Sequence, residues 1–312
     1  MKDFNNEYMN IIAKCKDQIL IEKSLAKERK KKRISIIICA CLIIELVLMA
    51  IDITKNMAMG PLMVGVAFAF TIILVVFVTM RDKKFRLMYK NTLINQVILC
   101  VDKNLLYLPL DRFPAMNFNR SPFYQRYDEY FSEDLIRGKL ENETEILMGE
   151  IHTHRIETER DSEGHTTTRR VPVFDGVMIE ATLPIECFNS IQVVPNSKFR
   201  ELSNKRVEMD SMFFEKYYDL ITRNKIEAVK LFTPDILELF QTFVELKWKN
   251  FGLVIEGNKL YLKFRPNHEY LESTLSDKIL TKPYVQKYYD DVYYGINLIN
   301  ELVKQLKYLE NC

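Results

Sequence analysis

The sequence has only nine glycines among 312 residues, which limits the kinds of ligand-binding loop that it can form. It contains no G-x-x-x-x-G-K-[ST], G-x-G-x-x-G, G-x-S-x-G or H-E-x-x-H pattern. Loops that bind phosphate groups, the nucleophile elbow of hydrolases and the zinc-protease helix are therefore missing. The sequence predicts no cofactor and identifies no catalytic residue by motif.

Metal-binding cysteine pairs are also missing. The six cysteines show no C-x-x-C spacing and are expected to be reduced, mostly buried thiols. Basic residues outnumber acidic ones in residues 1–33 and 81–90, whereas acidic residues outnumber basic ones in residues 91–312. Because the larger part of the chain lacks an excess of positive charge, we expect no binding to nucleic acid.

Long hydrophobic runs are present, and they occur close together. Residues 34–53 and 61–80 are apolar for about 20 residues each, enough for a helix to cross a ~30 Å hydrocarbon core. Basic residues flank the pair on both sides, which places both termini in the cytoplasm. The pattern predicts a transmembrane α-helical hairpin in the cell membrane, a multi-pass protein with two spans. The alternative is a pair of buried helices in a soluble domain.

Two sets of residues are predicted to contact the membrane or its proteins. Contact with anionic lipid head groups is expected for the flanking basic residues Arg29, Lys30, Lys31, Lys32, Arg33, Lys83, Lys84 and Arg86. Glu45 is the only ionisable residue deep in either span, so we expect it to be hydrogen-bonded. Its partner is either Thr71 within the hairpin or a polar residue of another membrane protein.

The predicted fold class is α+β. A helical segment with a basic end covers residues 1–33, the hairpin covers 34–80, and a cytosolic domain of mixed antiparallel strands and helices covers 81–312. A juxtamembrane helix is expected at 85–101 and a long C-terminal amphipathic helix at 283–309. This last helix is expected to pack on its own domain; the N-terminal helix and a second copy of the chain are the alternatives.

The strands are predicted from alternation and turn residues. Residues 104–110 form a short strand, and residues 144–158 and 171–183 form a long hairpin with a polar tip. Thr233 and Pro234 are predicted to begin a helix. Residues around Gly257 are predicted to form a tight β-hairpin.

The order of several short motifs resembles one bacterial family. These motifs are Tyr127-Asp128-Glu129-Tyr130, Glu133-Asp134-Leu135-Ile136 with Gly138, Thr144 and Ile146, Phe174-Asp175-Gly176, Val193-Val194-Pro195, Phe213 to Tyr218, Leu231-Phe232-Thr233-Pro234 and Gly257. The sequence resembles the DUF3137 family of two-span membrane proteins over residues 85–305. The resemblance implies membrane anchorage and a cytosolic α+β domain, but no activity and no catalytic residues.

Two groups of residues are candidates for chemistry. Glu150, His152 and His154 alternate along one strand, so their side chains share a face and could bind a metal ion. Asp128, Glu129, Glu133 and Asp134 form an acidic group that could supply a paired acid and base. For both groups the alternative is a polar strand face in contact with water.

From these observations we expect a membrane-anchored cytosolic binding or scaffold module without catalytic activity. The expected partners are anionic lipid head groups and either another membrane protein or a second copy of the chain. The alternative is a membrane-associated enzyme, such as a metal-dependent hydrolase, with its site near Asp128 and Glu133 or near Glu150, His152 and His154. An enzyme should gather several of these residues in a pocket.

Overall fold

The computed structural model describes residues 4–55, 83–160, 166–196, 205–272 and 277–310. Its fold is α+β, with an antiparallel sheet and helices packed against it. The strands are β1 (Leu105–Leu108), β2 (Glu129–Lys139), β3 (Glu145–Arg160), β4 (Thr166–Pro195), β5 (Arg206–Val207), β6 (Tyr218–Thr222) and β7 (Lys249–Arg265).

Eight α-helices accompany this sheet in the described residues. They are α1 (Phe4–Lys55), α2 (Lys83–Tyr89), α3 (Asn95–Val101), α4 (Ala115–Arg120), α5 (Met212–Tyr217), α6 (Lys225–Leu231), α7 (Pro234–Glu245) and α8 (Lys282–Glu310). A π-helical turn, Lys90–Ile94, joins α2 to α3, and a 3-10 turn, Asp277–Leu280, precedes α8.

The sheet is organised around β4, a strand of 30 residues. The strand order is β1-β2-β3-β4-β6-β5, and β7 also pairs with β4. β4 pairs with β3 over residues 166–182, with β7 over residues 177–193 and with β6 over residues 191–195. Alternating residues of β4 therefore face two different hydrophobic layers.

The larger hydrophobic layer lies under the long helices. In it, Ile179 of β4 approaches Gly295 of α8, where an added Cβ would lie 2.9 Å from the Ile179 Cδ1 atom. Buried residues of α1, including Ile11 and Ile19, belong to the same layer. A smaller cluster on the opposite face contains Phe113, Phe118, Leu135, Ile151 and Met178.

The N-terminal and C-terminal helices contact each other. The rings of Phe4 in α1 and Tyr289 in α8 have centroids 4.8 Å apart. The Tyr8 hydroxyl donates to the carbonyl of Leu280 at 2.8 Å. Helix α8 thus packs on the sheet and on α1 together, which combines two arrangements that the sequence left as alternatives.

The predicted membrane hairpin is contradicted. In the parts of the chain that the structure describes, no helix is long and apolar enough to span a membrane. The sequence pattern treated residues 34–53 as a separate apolar helix, but they are the end of a single 52-residue helix that begins at Phe4 and is strongly charged before residue 34. This finding also overturns the predicted two-span membrane localisation. Residues 61–80, and with them Thr71, lie outside the described residues.

The predicted hairpin at Gly257 is wrong as well. β7 continues through Gly257 and pairs with β4 along its length, from Leu253 opposite Val193 to Phe264 opposite Val177. Gly257 has a φ of 58° and accompanies an irregularity in this pairing. Glycine adopts this left-handed conformation readily, in a bent strand as well as in a turn.

Candidate functional site

A cluster of buried and half-buried charged side chains lies where α2 meets β2. Arg86 and Lys90 are four residues apart and therefore project from the same side of the helix. Lys90 is the first residue of the π-helical turn. Turns of this type insert an extra residue into a helix and occur frequently at functional sites.

Lys90 is buried and contacts three carboxylates. Its Nζ atom lies 2.6 Å from Asp134 Oδ2, 2.7 Å from Glu272 Oε1 and 3.4 Å from Glu133 Oε2. Burial opposes the positive charge, but Asp134 and Glu272 outweigh it and raise the pKa of the Lys90 ammonium. The Lys90 ammonium is therefore charged, and its N–H groups are directed to carboxylates within the protein.

Asp134 is fully buried at an irregular position of β2. The pairing of β2 with β3 shifts between Glu133 and Ile136, and Asp134 has a φ of 59°, in the left-handed region. Its carboxylate accepts hydrogen bonds from the Lys90 ammonium and the Tyr107 hydroxyl. Burial raises the pKa of Asp134 to about 7, although Lys90 and Tyr107 act in the opposite direction.

Two further carboxylates lie beside Asp134. Glu133 of β2 is directly opposite Glu150 of β3, and oxygen atoms of Glu133, Asp134 and Glu150 lie within 4.8 Å of one another. Arg86 contacts Glu133 at 3.1 Å and also pairs with Glu272. Three such oxygens are suitable ligands for a divalent cation, but the Lys90 ammonium already contacts two of these carboxylates.

His152 extends this group along β3. Its Nδ1 atom lies 2.7 Å from Asp175 Oδ1, and its Nε2 atom lies 3.3 Å from Glu150 Oε1. The hydrogen bond to Glu150 is the main cause that raises the pKa of His152 to about 9, against the effect of burial. Arg265 contacts the other oxygen of Asp175 at 2.7 Å. The imidazole is therefore protonated at neutral pH, a form that does not bind metal ions.

The structure brings some of the predicted site residues together and separates others. Glu133, Glu150 and His152 belong to one charged cluster, which also includes Arg86, Lys90, Asp134, Asp175, Arg265 and Glu272. His154 is outside it and has its ring 6.2 Å from that of Phe131. Asp128 is outside it too, because its carboxylate accepts from the backbone N–H of Ile156 at 2.7 Å.

Most of the residues expected to contact lipid lie elsewhere on the surface. Arg29 pairs with Glu22 at 2.7 Å, and Lys30 is partly buried. Exposed positions are occupied by Lys31, Lys32, Arg33, Lys83 and Lys84. Arg86 turns inward to the charged cluster. Glu45 lies in α1, but its side chain, like Thr71, is outside the part of the chain whose side chains are described.

Two cavities lie away from the core of the charged cluster. A cavity of about 580 Å³ is lined by residues of β1, β2, β3, β4 and β7, including Glu180 and Lys259, and by Asn117 of α4. A cavity of about 310 Å³ is lined by residues that include Phe123, Asp175 and Lys263. Neither is lined by Lys90, Asp134 or Glu150. Asp175 is the cluster member that reaches the smaller cavity, where its carboxylate is already paired with His152 and Arg265.

Several members of the cluster were missed by sequence reasoning. Lys90 and Glu272 were not singled out, and neither was Tyr107, whose hydroxyl donates to Asp134, because their partners are distant in the chain. One local signal was available: Arg86 and Lys90 have the spacing of neighbours on a helix.

Comparison with known proteins supports one family resemblance. The chain resembles the family described as "Protein of unknown function (DUF3137)" over residues 172–304. This range is narrower than the expected 85–305; it includes Asp175 and Lys263 but not Lys90, Asp134 or Glu150. No curated protein matches the chain.

One solved structure is similar in part. It is the crystal structure of the mycobacterial trehalose monomycolate transport factor A, TtfA, which is 8% identical. The similarity covers 66% of this chain and 93% of that chain, with a TM-score of 0.32. A similarity of this size supports no inference about function.

Proposed function

We propose that the protein is a binding or scaffold module without catalytic activity, and that it recognises a partner protein through a β-ribbon. The ribbon consists of residues 155–160 of β3 and 166–171 of β4. These twelve residues form a two-stranded extension of the sheet, because the pairing of β2 with β3 ends at His154 and the pairing of β7 with β4 ends at Val177. At about 3.3 Å per residue, the ribbon extends roughly 20 Å.

Within the part of the chain that the structure describes, neither strand of the ribbon pairs with a third strand, and these edges are the observation that carries the proposal. A strand without a second neighbour presents unpaired backbone N–H and C=O groups, to which an extended segment of another protein can add. At the base of the ribbon one backbone N–H group already has a partner, because Ile156 N–H donates to the Asp128 carboxylate. The Ile156 side chain itself is 42% exposed and offers an apolar contact.

Charged side chains on the ribbon would determine which partner fits. Arg169 contacts Glu157 at 3.5 Å, and Arg170 contacts Glu129 at 2.9 Å. Both arginine side chains are more than two thirds exposed. Exposed pairs of this kind add little stability, but charges at the rim of an interface influence association rate and specificity.

The charged cluster gives less support to the alternative, an enzyme. Glu133 is paired with Arg86 and Lys90, and His152 is held between two carboxylates. A general acid or base needs a substrate within hydrogen-bonding distance. The two cavities described above are lined by neither Glu133 nor His152.

Site-specific photo-crosslinking in cells tests this proposal. A photo-reactive residue is placed at Thr168, an exposed ribbon position opposite Thr158, in the full chain. The control position is Glu141, whose side chain is 77% exposed at the other end of β2. We expect a discrete protein adduct from Thr168 and none from Glu141. An adduct of twice the mass of the chain would identify a second copy as the partner. No adduct at Thr168, or the same adduct at both positions, would contradict the proposal.

A further inference from the structure

The cavity of about 310 Å³ contains a lysine that has no anionic partner among the described residues. Its lining includes Phe123, Phe174, Phe251 and Phe264, together with Asp175 and Lys263. Its volume is at the lower end of the range for small-molecule sites, about 300–1,000 Å³. Four of the lining residues are phenylalanines, so an apolar body would find apolar contacts.

The side chain of Lys263 is held in one place by its neighbours. Its Cε atom would lie 2.9 Å from a Cβ added at Gly252, so the absence of a side chain there leaves room for the lysine. Its Nζ atom lies 4.7 Å from the centroid of the Phe123 ring, a cation–π contact. Burial lowers the pKa of the Lys263 ammonium. Asp175, the carboxylate in the same cavity, pairs instead with His152 and Arg265.

A partly buried ammonium without a counterion is costly, and an anion that entered the cavity would remove this cost. We propose that this cavity is a binding site for a small organic anion that combines one carboxylate with a flat apolar body. Lys263 binds the carboxylate, and the phenylalanine rings contact the apolar part. This site is separate from the ribbon edge, and its existence does not depend on the proposed partner protein.

The same chemistry occurs in a free carboxylic acid and in the C-terminus of a peptide that ends in an aromatic residue. Four probes separate the contribution of the carboxylate from that of the apolar body and compare the two sources: 3-phenylpropanoate, its neutral amide, acetate, and N-acetyl-alanyl-phenylalanine. Binding to the full chain is measured by calorimetry and by NMR of the ligand. We expect 3-phenylpropanoate to bind with a dissociation constant of roughly 1 mM or below, and the amide and acetate to bind at least about tenfold more weakly. Tighter binding of the peptide would identify a chain terminus as the natural source.

Variants of two lysines on the same strand show whether Lys263 is responsible. Lys263→Met should weaken 3-phenylpropanoate binding by about tenfold or more, and Lys263→Arg should retain most of it. Lys259→Met is the matched control, because Lys259 lines the other cavity and pairs with Glu180 at 2.8 Å. The proposal fails if 3-phenylpropanoate and its amide bind equally, or if no probe binds at millimolar concentration. It also fails if Lys263→Met binds 3-phenylpropanoate as tightly as the wild type does.

Discussion

Lys90 Nζ lies 2.6 Å from Asp134 Oδ2, and both residues are buried. This contact joins the π-helical turn after α2 to the irregular part of β2. Removing two charges from water is costly, and their attraction offsets this cost only when both partners are present. The pair therefore makes the helix-to-sheet junction sensitive to the loss of one partner.

The first prediction concerns this pair. Lys90→Met should lower the free energy of unfolding by about 3–5 kcal/mol, because it leaves Asp134 buried without its cation. The double variant Lys90→Met/Asp134→Asn should lose less than the sum of the two single variants, with a coupling of about 1 kcal/mol or more. Urea unfolding followed by circular dichroism measures these values.

An exposed pair serves as the control for the first prediction. Lys139 contacts Glu143 at 2.6 Å on the surface, and Lys139→Met should leave stability unchanged within error. Strictly additive losses at positions 90 and 134 would show that the two residues do not act as a pair.

The second prediction is a pH dependence that arises from His152. Its pKa is about 9 in the folded chain, compared with about 6.5 for an unfolded one. The folded chain binds this proton more tightly than the unfolded chain does. The contribution of His152 to the free energy of unfolding is therefore complete below about pH 6.5 and is lost as the pH rises towards 9. Because the side chain is 35% exposed, we expect a loss on the order of 1 kcal/mol after solvent screening.

The variant His152→Gln isolates this effect. Its difference in unfolding free energy from the wild type should shrink between pH 6.5 and 9, since all other titrating groups are common to both proteins. Urea unfolding at several pH values in this range gives the difference curve. A difference that stays constant with pH would contradict the assigned contacts with Glu150 and Asp175.

The third prediction compares two glycines with positive φ. Gly176 has a φ of 152°, and an added Cβ would lie 2.5 Å from the carbonyl oxygen of Phe264. Gly176→Ala should therefore destabilise the protein by about 2–4 kcal/mol, because backbone atoms must move. Gly257 has a φ of 58° and open space around it, so Gly257→Ala should cost only about 1 kcal/mol. Equal losses would contradict the close approach of β4 and β7.

The fourth prediction tests the docking of α1 on the domain. Ile19 is fully buried in the larger hydrophobic layer, whereas Ile21 is 61% exposed. Ile19→Ala should lower the unfolding free energy by about 2–5 kcal/mol, and Ile21→Ala by no more than about 0.5 kcal/mol. Thermal or urea unfolding of the two variants gives the comparison. Similar small effects for both would show that α1 does not pack as described.

Local patterns predicted the elements that depend on neighbouring residues. Alternation along residues 144–158 and 171–183 predicted a long hairpin, and β3 and β4 pair as that hairpin. Pro234 begins α7 as the sequence indicated, although the Thr233 side chain makes no capping hydrogen bond. Hydrophobic periodicity indicates which face of a helix or strand is buried and how long that element is. Both properties depend on residues that are neighbours in the sequence.

Contacts between distant segments could not be predicted in this way. A glycine between two apolar runs suggests a turn, so the sequence predicts a hairpin at Gly257. The partner of this strand is instead β4, more than 60 residues earlier in the chain. The helix around residues 85–101 was predicted, but its π-helical turn was not. The sequence predicts Glu133, Asp134, Glu150 and His152 of the cluster but not Lys90, which lies 44 residues before Asp134.

The most direct test separates binding from stability in one experiment with two variants. The ribbon variant Arg169→Glu/Arg170→Glu and the cluster variant Lys90→Met/Asp134→Asn are each compared with the wild type for unfolding free energy and for the photo-crosslinked adduct formed from Thr168. We expect the ribbon variant to lose the adduct with little change in stability, and the cluster variant to lose stability while the fraction that remains folded still forms the adduct. Loss of the adduct from the folded cluster variant, together with its retention in the ribbon variant, would place recognition at the cluster and contradict the proposed function.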